Sequence, residues 1–254
     1  MRLADRSVEE PGRIDGDEAA GVTPRTACDP RGWRVSRSWG VAVPVKHSDI
    51  GKSRLQGFAG RFRAELARAM AADCVAAVVS CRFVQRVVIV TDDESAGQQF
   101  VALGAQVVAD LPGNGLNAAL EFGVEVLRSH RPKLWVAALS ADLPALRPDA
   151  LSAALEAASS APRAFLADAS GVGTTVLTAA PGVALDPASG ESSRSAHLAS
   201  GATEINPPGV STLRRDVDTA ADLRDAIRLG VGPRTAHVLT KIERLEQPAG
   251  PRDV

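Results

Sequence analysis

The sequence has 254 residues, 45% of them hydrophobic, enough to bury a sizeable core as one large domain or two small ones. It carries 29 Lys and Arg against 30 Asp and Glu, interspersed for a net charge of -1, and its aromatic content is 4% with no Tyr. This excludes a basic nucleic-acid footprint and a stacking platform for single strands. No apolar run reaches the length of a membrane span and the N-terminus is charged rather than signal-like, so a soluble cytoplasmic protein is expected.

Residues 1–37 are rich in Asp, Glu, Arg, Gly and Pro without apolar periodicity, and are expected to form a disordered leader. A folded domain is expected over 38–243 and a flexible tail over 244–254. Within the domain, β-rich runs at Trp39–Val45, Arg86–Thr91, Ala105–Ala109 and Leu134–Leu139 alternate with helical stretches at Arg61–Ser80, Glu94–Leu103, Gly115–Ser129 and Pro148–Ala157. This alternation predicts βαβ units and a parallel sheet with right-handed crossovers. After residue 160, strands at Ala164–Ala167 and Thr174–Thr178 flank a Gly-containing turn and predict an antiparallel addition. Helices at Ala220–Leu229 and Arg234–Glu243 finish an α/β fold with a mixed sheet.

In an open α/β sheet, ligands gather beyond the carboxyl ends of the strands, so chemistry is sought after Val45, Thr91, Ala109 and Leu139. The first of these loops, Lys46-His47-Ser48-Asp49-Ile50-Gly51-Lys52-Ser53-Arg54, ends like a Walker A loop but has Lys46 where the first Gly belongs, which excludes a P-loop. Its three cations suit a triphosphate, and equally suit a solvated charged loop. After the strand Leu134–Leu139 comes Ser140-Ala141-Asp142-Leu143-Pro144. Small residues allow close approach of a ligand, and a lone carboxylate there suits Mg²⁺, which takes its other ligands from water and phosphates. Fixing a turn is the plainer role for such an Asp. Asp216 and Asp218 share a face if their segment is extended, and while Asp218 or Thr219 can cap the next helix, capping leaves Asp216 unexplained.

Gly171-Val172-Gly173-Thr174 is too short for a dinucleotide fingerprint but can bind an anion. Gly190-Glu191-Ser192-Ser193 reads as the mouth of a helix, fit for phosphate or carboxylate or simply capped by Ser192 or Ser193. In Gly113-Asn114-Gly115-Leu116-Asn117, Asn114 turns the chain and Asn117 is placed to face a nucleotide. The three Cys make no disulfide framework; Cys74 and Cys81 lie two turns apart in a predicted helix and are expected to be reduced core thiols. The four His are scattered without ligand spacing, which argues against zinc. No Ser/His/Asp or Cys/His arrangement stands out, which fits transfer of a phosphoryl-type group to an acceptor already ionised.

Taken in order, these segments resemble the guanylyltransferases of coenzyme F420 biosynthesis, which act on 2-phospho-L-lactate or phosphoenolpyruvate. The resemblance runs from Trp39 to Lys241 through Pro44-Val45-Lys46, Lys52-Ser53-Arg54-Leu55, Gly115-Leu116-Asn117, Asp142-Leu143-Pro144, Gly171-Val172-Gly173-Thr174, Gly190-Glu191-Ser192-Ser193 and Asp216-Val217-Asp218-Thr219. It implies a Rossmann-like, three-layer mixed sheet of the glycosyltransferase-A-like nucleotidyltransferase type. It further implies GTP held by Lys46, Lys52 and Arg54, and Mg²⁺ held at Asp142, Asp216 and Asp218, with Lys46, Lys52 and Asp142 catalytic. The acceptor of the phosphoenolpyruvate-using members would lie at Thr174, Gly190 and Ser193. This chain departs modestly from its relatives: it has Ser140-Ala141 where a Gly or another small residue commonly precedes the Asp142 position, and Glu191-Ser192 where they often carry Pro and Asp or Gly. The product would be an acid anhydride of limited stability, implying hand-over to a downstream transferase. 2-Phospho-L-lactate and 3-phosphoglycerate remain alternative acceptors. A molybdenum-cofactor-type guanylyltransferase, disfavoured by Pro44-Val45-Lys46 in place of a Gly-Gly loop, and a non-catalytic nucleotide-binding module are the rivals.

Overall fold

The β-rich runs expected at Trp39–Val45, Arg86–Thr91 and Leu134–Leu139 lie side by side in a seven-stranded sheet of order β3-β2-β1-β4-β6-β5-β7. The computed structural model describes residues 37–46, 52–190 and 192–246, and all of them fall within one compact unit. The elements are β1 Trp39–Pro44, α1 Gln56–Ala59, α2 Arg63–Val79, β2 Val84–Val90, α3 Glu94–Ala102, β3 Gln106–Val108, α4 Leu116–His130, β4 Trp135–Leu139 and α5 Pro148–Ala158. They continue with β5 Arg163–Ala167, β6 Thr174–Ala179, α6 Ser193–Ala199, β7 Thr203–Glu204, α7 Ser211–Arg214, α8 Ala220–Leu229 and α9 Pro233–Glu246. The leader lies outside the described residues except for Arg37, whose guanidinium stacks 4.4 Å from the centroid of the Trp135 ring.

β1, β2, β3 and β4 are parallel, whereas β6 runs antiparallel to both β4 and β5. The mixed α/β sheet expected from the sequence is therefore present. Side chains alternate across it with the strand period of two. Val41, Val43, Ala137 and Leu139 face one way, into a core shared with α2, α3 and α5. Ala42, Val136 and Ala138 face the other, against Leu120, Val124 and Leu127 of α4. Both faces of these strands are covered, as in parallel sheets generally. A third cluster joins α1 and α2 to α8 and α9 through Leu55, Leu66, Met70, Leu223 and Val238.

Gly123 sets how closely α4 approaches the sheet: a Cβ there would lie 3.0 Å from Ala42 Cβ and 3.1 Å from Val90 Cγ2. Asp73 of α2, buried, accepts hydrogen bonds from the backbone N–H groups of Arg234 (3.2 Å) and Thr235 (2.8 Å), supplying the start of α9 with a carboxylate from a distant helix. α9 extends through Glu246, beyond the Glu243 boundary expected from the sequence. Cys74 is buried in α2, while Cys81 is buried in the turn beyond its end, so the predicted helix holds one of the two thiols. Among the described residues no helix is long and apolar enough to cross a membrane.

Candidate active site

The chain runs from β1 outward through β2 to β3 and then returns to β4 on the other side of β1, which makes the gap beyond β1 and β4 the place where the strand order reverses. Because β6 is antiparallel to β4, its first residue, Thr174, stands at the same edge where β4 ends. A cavity of about 540 Å³ opens there, and its walls include Lys46, Lys52, Asp142, Thr174, Gly190, Ser193, Asp216 and Asp218. These residues come from positions as far apart as 46 and 218, and the sheet brings them to a single site.

One end of the cavity is acidic. The backbone N–H of Val217 donates to Asp142 O at 3.0 Å, fastening the segment that carries Asp216 and Asp218 to the turn after β4. The Lys52 ammonium lies between two of these carboxylates, ion-paired with Asp142 Oδ2 and, at 2.7 Å, with Asp218 Oδ1. Burial alone would lower the Lys52 pKa, but Asp142 and then Asp218 outweigh it and hold the ammonium above its ordinary value. Lys52 also has φ of 58°, a left-handed conformation uncommon for any residue but Gly and one found where function fixes the backbone. The segment 47–51 leading into it, including His47, Ser48, Asp49, Ile50 and Gly51, lies outside the described residues.

Negative charge is crowded at this end. Asp216 has its pKa pushed up to about 7, first by burial and then by the charges of Asp142, Asp168 and Asp218. Among the described residues the second oxygen of Asp142, Oδ1, is buried without a hydrogen-bond partner. A buried carboxylate oxygen with nothing to accept from, beside a carboxyl held partly neutral by its neighbours, fits a small divalent cation. Among the described residues no three His, Cys, Asp or Glu side chains converge into a ready metal cage. Asp142, Asp216 and Asp218, the trio that the resemblance implies, are therefore not preassembled as a three-carboxylate cage.

Another part of the lining is built from backbone and hydroxyls. Arg194 N donates to Val172 O at 3.1 Å, tying α6 to the Gly171–Thr174 turn. The Arg194 guanidinium is bidentate to Glu204, with Nε to Oε1 at 3.0 Å and the terminal nitrogen to Oε2 at 2.9 Å, which anchors α6 to β7. Gly190 has φ of 145°, a value that side-chain-bearing residues rarely adopt. Ser192 occupies the N-cap of α6 but makes no side-chain capping bond, and Ser193 is buried in the cavity wall, so neither serine is spent on the cap the sequence allowed. At α8, by contrast, Thr219 and Asp222 form a reciprocal capping box. That leaves Asp216 and Asp218 free of capping duty.

Two residues expected to contact the nucleotide are not part of the cavity lining. Arg54 sits exposed in the short 3-10 turn Ser53–Leu55 and does not line the cavity. The Asn117 side chain turns instead to the 187–190 segment, where its Oδ1 accepts from Ser189 N at 2.8 Å. Sequence reasoning missed Asp93, the side-chain N-cap of α3, and His197, both of which line the cavity. The signal for His197 was its spacing: four residues beyond Ser193, on the same helix face.

Residues 58–203 match the model of the MobA-like NTP transferase domain. A phosphoenolpyruvate guanylyltransferase from Streptomyces coelicolor is 55% identical over 205 residues, covering 80% of this chain and 97% of that protein. The chain belongs to the phosphoenolpyruvate guanylyltransferase family. A relative of the same name from Streptomyces avermitilis is 53% identical, with 80% of this chain and 95% of the relative covered. The family resemblance read from the sequence segments is borne out, and the chain is a nucleotidyltransferase. Among solved structures, a candidate nucleotide-diphospho-sugar transferase from Desulfovibrio desulfuricans G20 superposes with a TM-score of 0.60 at 16% identity, over 82% of this chain and 96% of that one. A 4-diphosphocytidyl-2C-methyl-D-erythritol synthase does so with a TM-score of 0.53 at 16% identity, over 76% of this chain and 99% of that one. These establish the nucleotide-diphospho-sugar transferase fold.

Proposed function

We propose that this member of the family transfers GMP from GTP to phosphoenolpyruvate, with release of pyrophosphate and with Mg²⁺ as the metal. The observation that carries the reading is the meeting, in the lining of one cavity, of Asp142, Asp216 and Asp218 with two lysines and of Thr174, Gly190 and Ser193. The first suits a metal-bound triphosphate, the second a small anionic acceptor. The names of the relatives at 55% and 53% identity supply the acceptor.

In the proposed reaction an acceptor phosphate oxygen forms a bond to the α-phosphorus of GTP while the bond from that phosphorus to the bridging β-oxygen breaks, and pyrophosphate carries off the electron pair. The acceptor oxygen is already ionised, so the step needs no general base. Asp142, Asp216 and Asp218 would hold Mg²⁺, which when bound supplies a positive charge to the α-phosphate and the leaving group. Lys46, exposed at the end of β1, would reach the triphosphate. Lys52, ion-paired with Asp142 and Asp218, would donate to phosphate oxygens of the bound triphosphate. Thr174, Gly190 and Ser193 would orient the acceptor by hydroxyl and amide donors. The product, a mixed anhydride joining GMP to the acceptor phosphate, places the reaction before a transferase that uses it, in coenzyme F420 biosynthesis. With both substrates soluble metabolites, the reaction belongs in the cytoplasm.

Purified protein with Mg²⁺ and GTP, offered phosphoenolpyruvate, 2-phospho-L-lactate and 3-phosphoglycerate in turn, tests the reading through pyrophosphate release. Release is expected to be fastest with phosphoenolpyruvate and to fall below detection in Asp142→Ala, with that variant still folded. Faster release with another acceptor would reassign the substrate. Release without any acceptor would make the protein a hydrolase.

A further inference from the structure

His197 has no part in the reaction as described, yet at 1% exposure it is the most deeply buried polar side chain of the cavity wall. Both of its ring nitrogens are engaged. Nε2 lies 3.1 Å from the backbone N of Ala188, a group that can only donate, so Nε2 accepts and carries no proton. Nδ1 lies 3.0 Å from Thr174 Oγ1. A neutral ring with a bare Nε2 keeps its hydrogen on Nδ1 and donates it to the threonine oxygen. The surroundings favour the neutral ring: burial first, then the Arg163 guanidinium, lower its pKa, against a smaller opposing effect from Asp186. The Phe165 ring packs beside it with centroids 5.6 Å apart.

The tautomer has a consequence for the acceptor end of the cavity. With one lone pair of Thr174 Oγ1 occupied by Nδ1–H, the threonine's own hydrogen must point away from the imidazole. Among the described residues Oγ1 makes no other hydrogen bond. The hydroxyl is thereby fixed as a donor. The opposite tautomer would set Nε2–H against Ala188 N–H and turn the threonine hydrogen onto Nδ1, leaving only lone pairs for an anion. The carboxylate and phosphate of a phosphorylated acid accept hydrogen bonds and do not donate them at neutral pH, so the orientation of this hydrogen decides whether Thr174 attracts or repels the acceptor.

The same ring also ties the parts of the acceptor end together. It sits one helical turn beyond Ser193 on the same face of α6. Through Ala188 it holds the 187–190 segment, whose next amide, Ser189 N, is held by Asn117. We propose that His197 is a positioning residue: the Ala188 amide fixes its tautomer, and its Nδ1–H sets Thr174 as a hydrogen-bond donor to the anionic group of the acceptor while pinning the segment that carries Gly190. This rests on the reading of Thr174, Gly190 and Ser193 as the acceptor site.

Two substitutions separate the two nitrogens. In His197→Asn the side-chain amide lies near the Nδ1 position and can still donate to Thr174; in His197→Gln it lies near the Nε2 position and serves only Ala188. Loss of the donor orientation is expected to raise the acceptor KM by about 10-fold to 100-fold in His197→Gln, as when a hydrogen bond to a charged group is lost. The KM for GTP is expected to stay within about 2-fold, and His197→Asn to recover most of the acceptor KM. Thr174→Val should show the same loss, and the double variant Thr174→Val with His197→Gln no further loss, because the two residues act as a unit. In ¹⁵N-histidine NMR of the unaltered protein at neutral pH, His197 is expected to carry its proton on Nδ1.

An acceptor KM at the parental value in a folded His197→Gln protein would overturn the proposal, as would equal losses for GTP and acceptor. An Nε2–H tautomer would overturn it whether or not the variants fold. Absence of turnover by the unaltered protein with every acceptor would instead sink the proposed function, a different result from an active parent whose acceptor KM ignores His197.

Discussion

Replacing Asp216 with Asn is expected to make the metal-free protein more stable at alkaline pH while removing its activity. Asp216 is partly buried among Asp142, Asp168 and Asp218, and its carboxyl is pushed from 3.8 up to about 7. Because the folded-state value lies above the unfolded one, the stability this group contributes is fully present below pH 3.8 and is lost as pH rises through about 7. At 1.36 kcal/mol for each tenfold in proton affinity, the gap from 3.8 to about 7 corresponds to ~4 kcal/mol, and solvent screening at a partly exposed carboxyl brings this nearer 2 kcal/mol. Asn keeps the shape and removes the charge, so at pH 8 in chelator the variant should melt roughly 4–8 °C above the parent. The difference should shrink toward zero as the pH approaches 4. Thermal denaturation across this range, with and without Mg²⁺ and GTP, measures it. Metal and nucleotide should stabilise the parent and do far less for the variant. A variant no more stable at pH 8, or one with the same gain at every pH, would refute the carboxylate repulsion on which the metal site is argued.

Three further outcomes follow from the fold and the cavity. Asn117→Ala leaves Ser189 N without its partner; it should raise the acceptor KM several-fold and leave the GTP KM unchanged, whereas a contact to the nucleotide would reverse that order in steady-state kinetics. Gly123→Ala should lower the melting temperature by a few degrees, since overpacking against Ala42 and Val90 costs about 1–3 kcal/mol and helix propensity returns about 1; a higher melting temperature would show that α4 is not held by that close approach. His197 has its pKa lowered by burial and then by Arg163, with Asp186 opposing, so the unfolded chain binds a proton there before the folded one does. Stability should therefore fall as the pH drops through the unfolded value of 6.5, and His197→Asn should lack that component of the pH profile.

Much of this was legible in the sequence because periodicity and punctuation operate over several residues. β1, β2 and β4 were legible as β-rich runs because their apolar faces are buried on both sides of the sheet, and Asp142 was placed just after one of them. β7, with two residues, and α7, with four, are too short to carry a period. The insertion of β6 between β4 and β5 depends on pairings between distant segments, which alternation along the chain does not encode. The same limit applies within the site. Residue type marked Lys52 as a phosphate ligand, but its pairing with Asp142 and Asp218 follows from the fold. Asn117 and His197 act on backbone amides 72 and 9 residues away, contacts without a local signature.

Guanylyl transfer to a phosphorylated three-carbon acid is the reaction proposed for the cavity at the edge of β1 and β4. ³¹P NMR of the protein with Mg²⁺, GTP and phosphoenolpyruvate tests it most directly. A pair of coupled diphosphate resonances, from a new anhydride linking GMP to the acceptor, is predicted to appear in step with pyrophosphate and to be absent with Asp142→Ala. Pyrophosphate accompanied by free GMP, or GDP with inorganic phosphate, would contradict it.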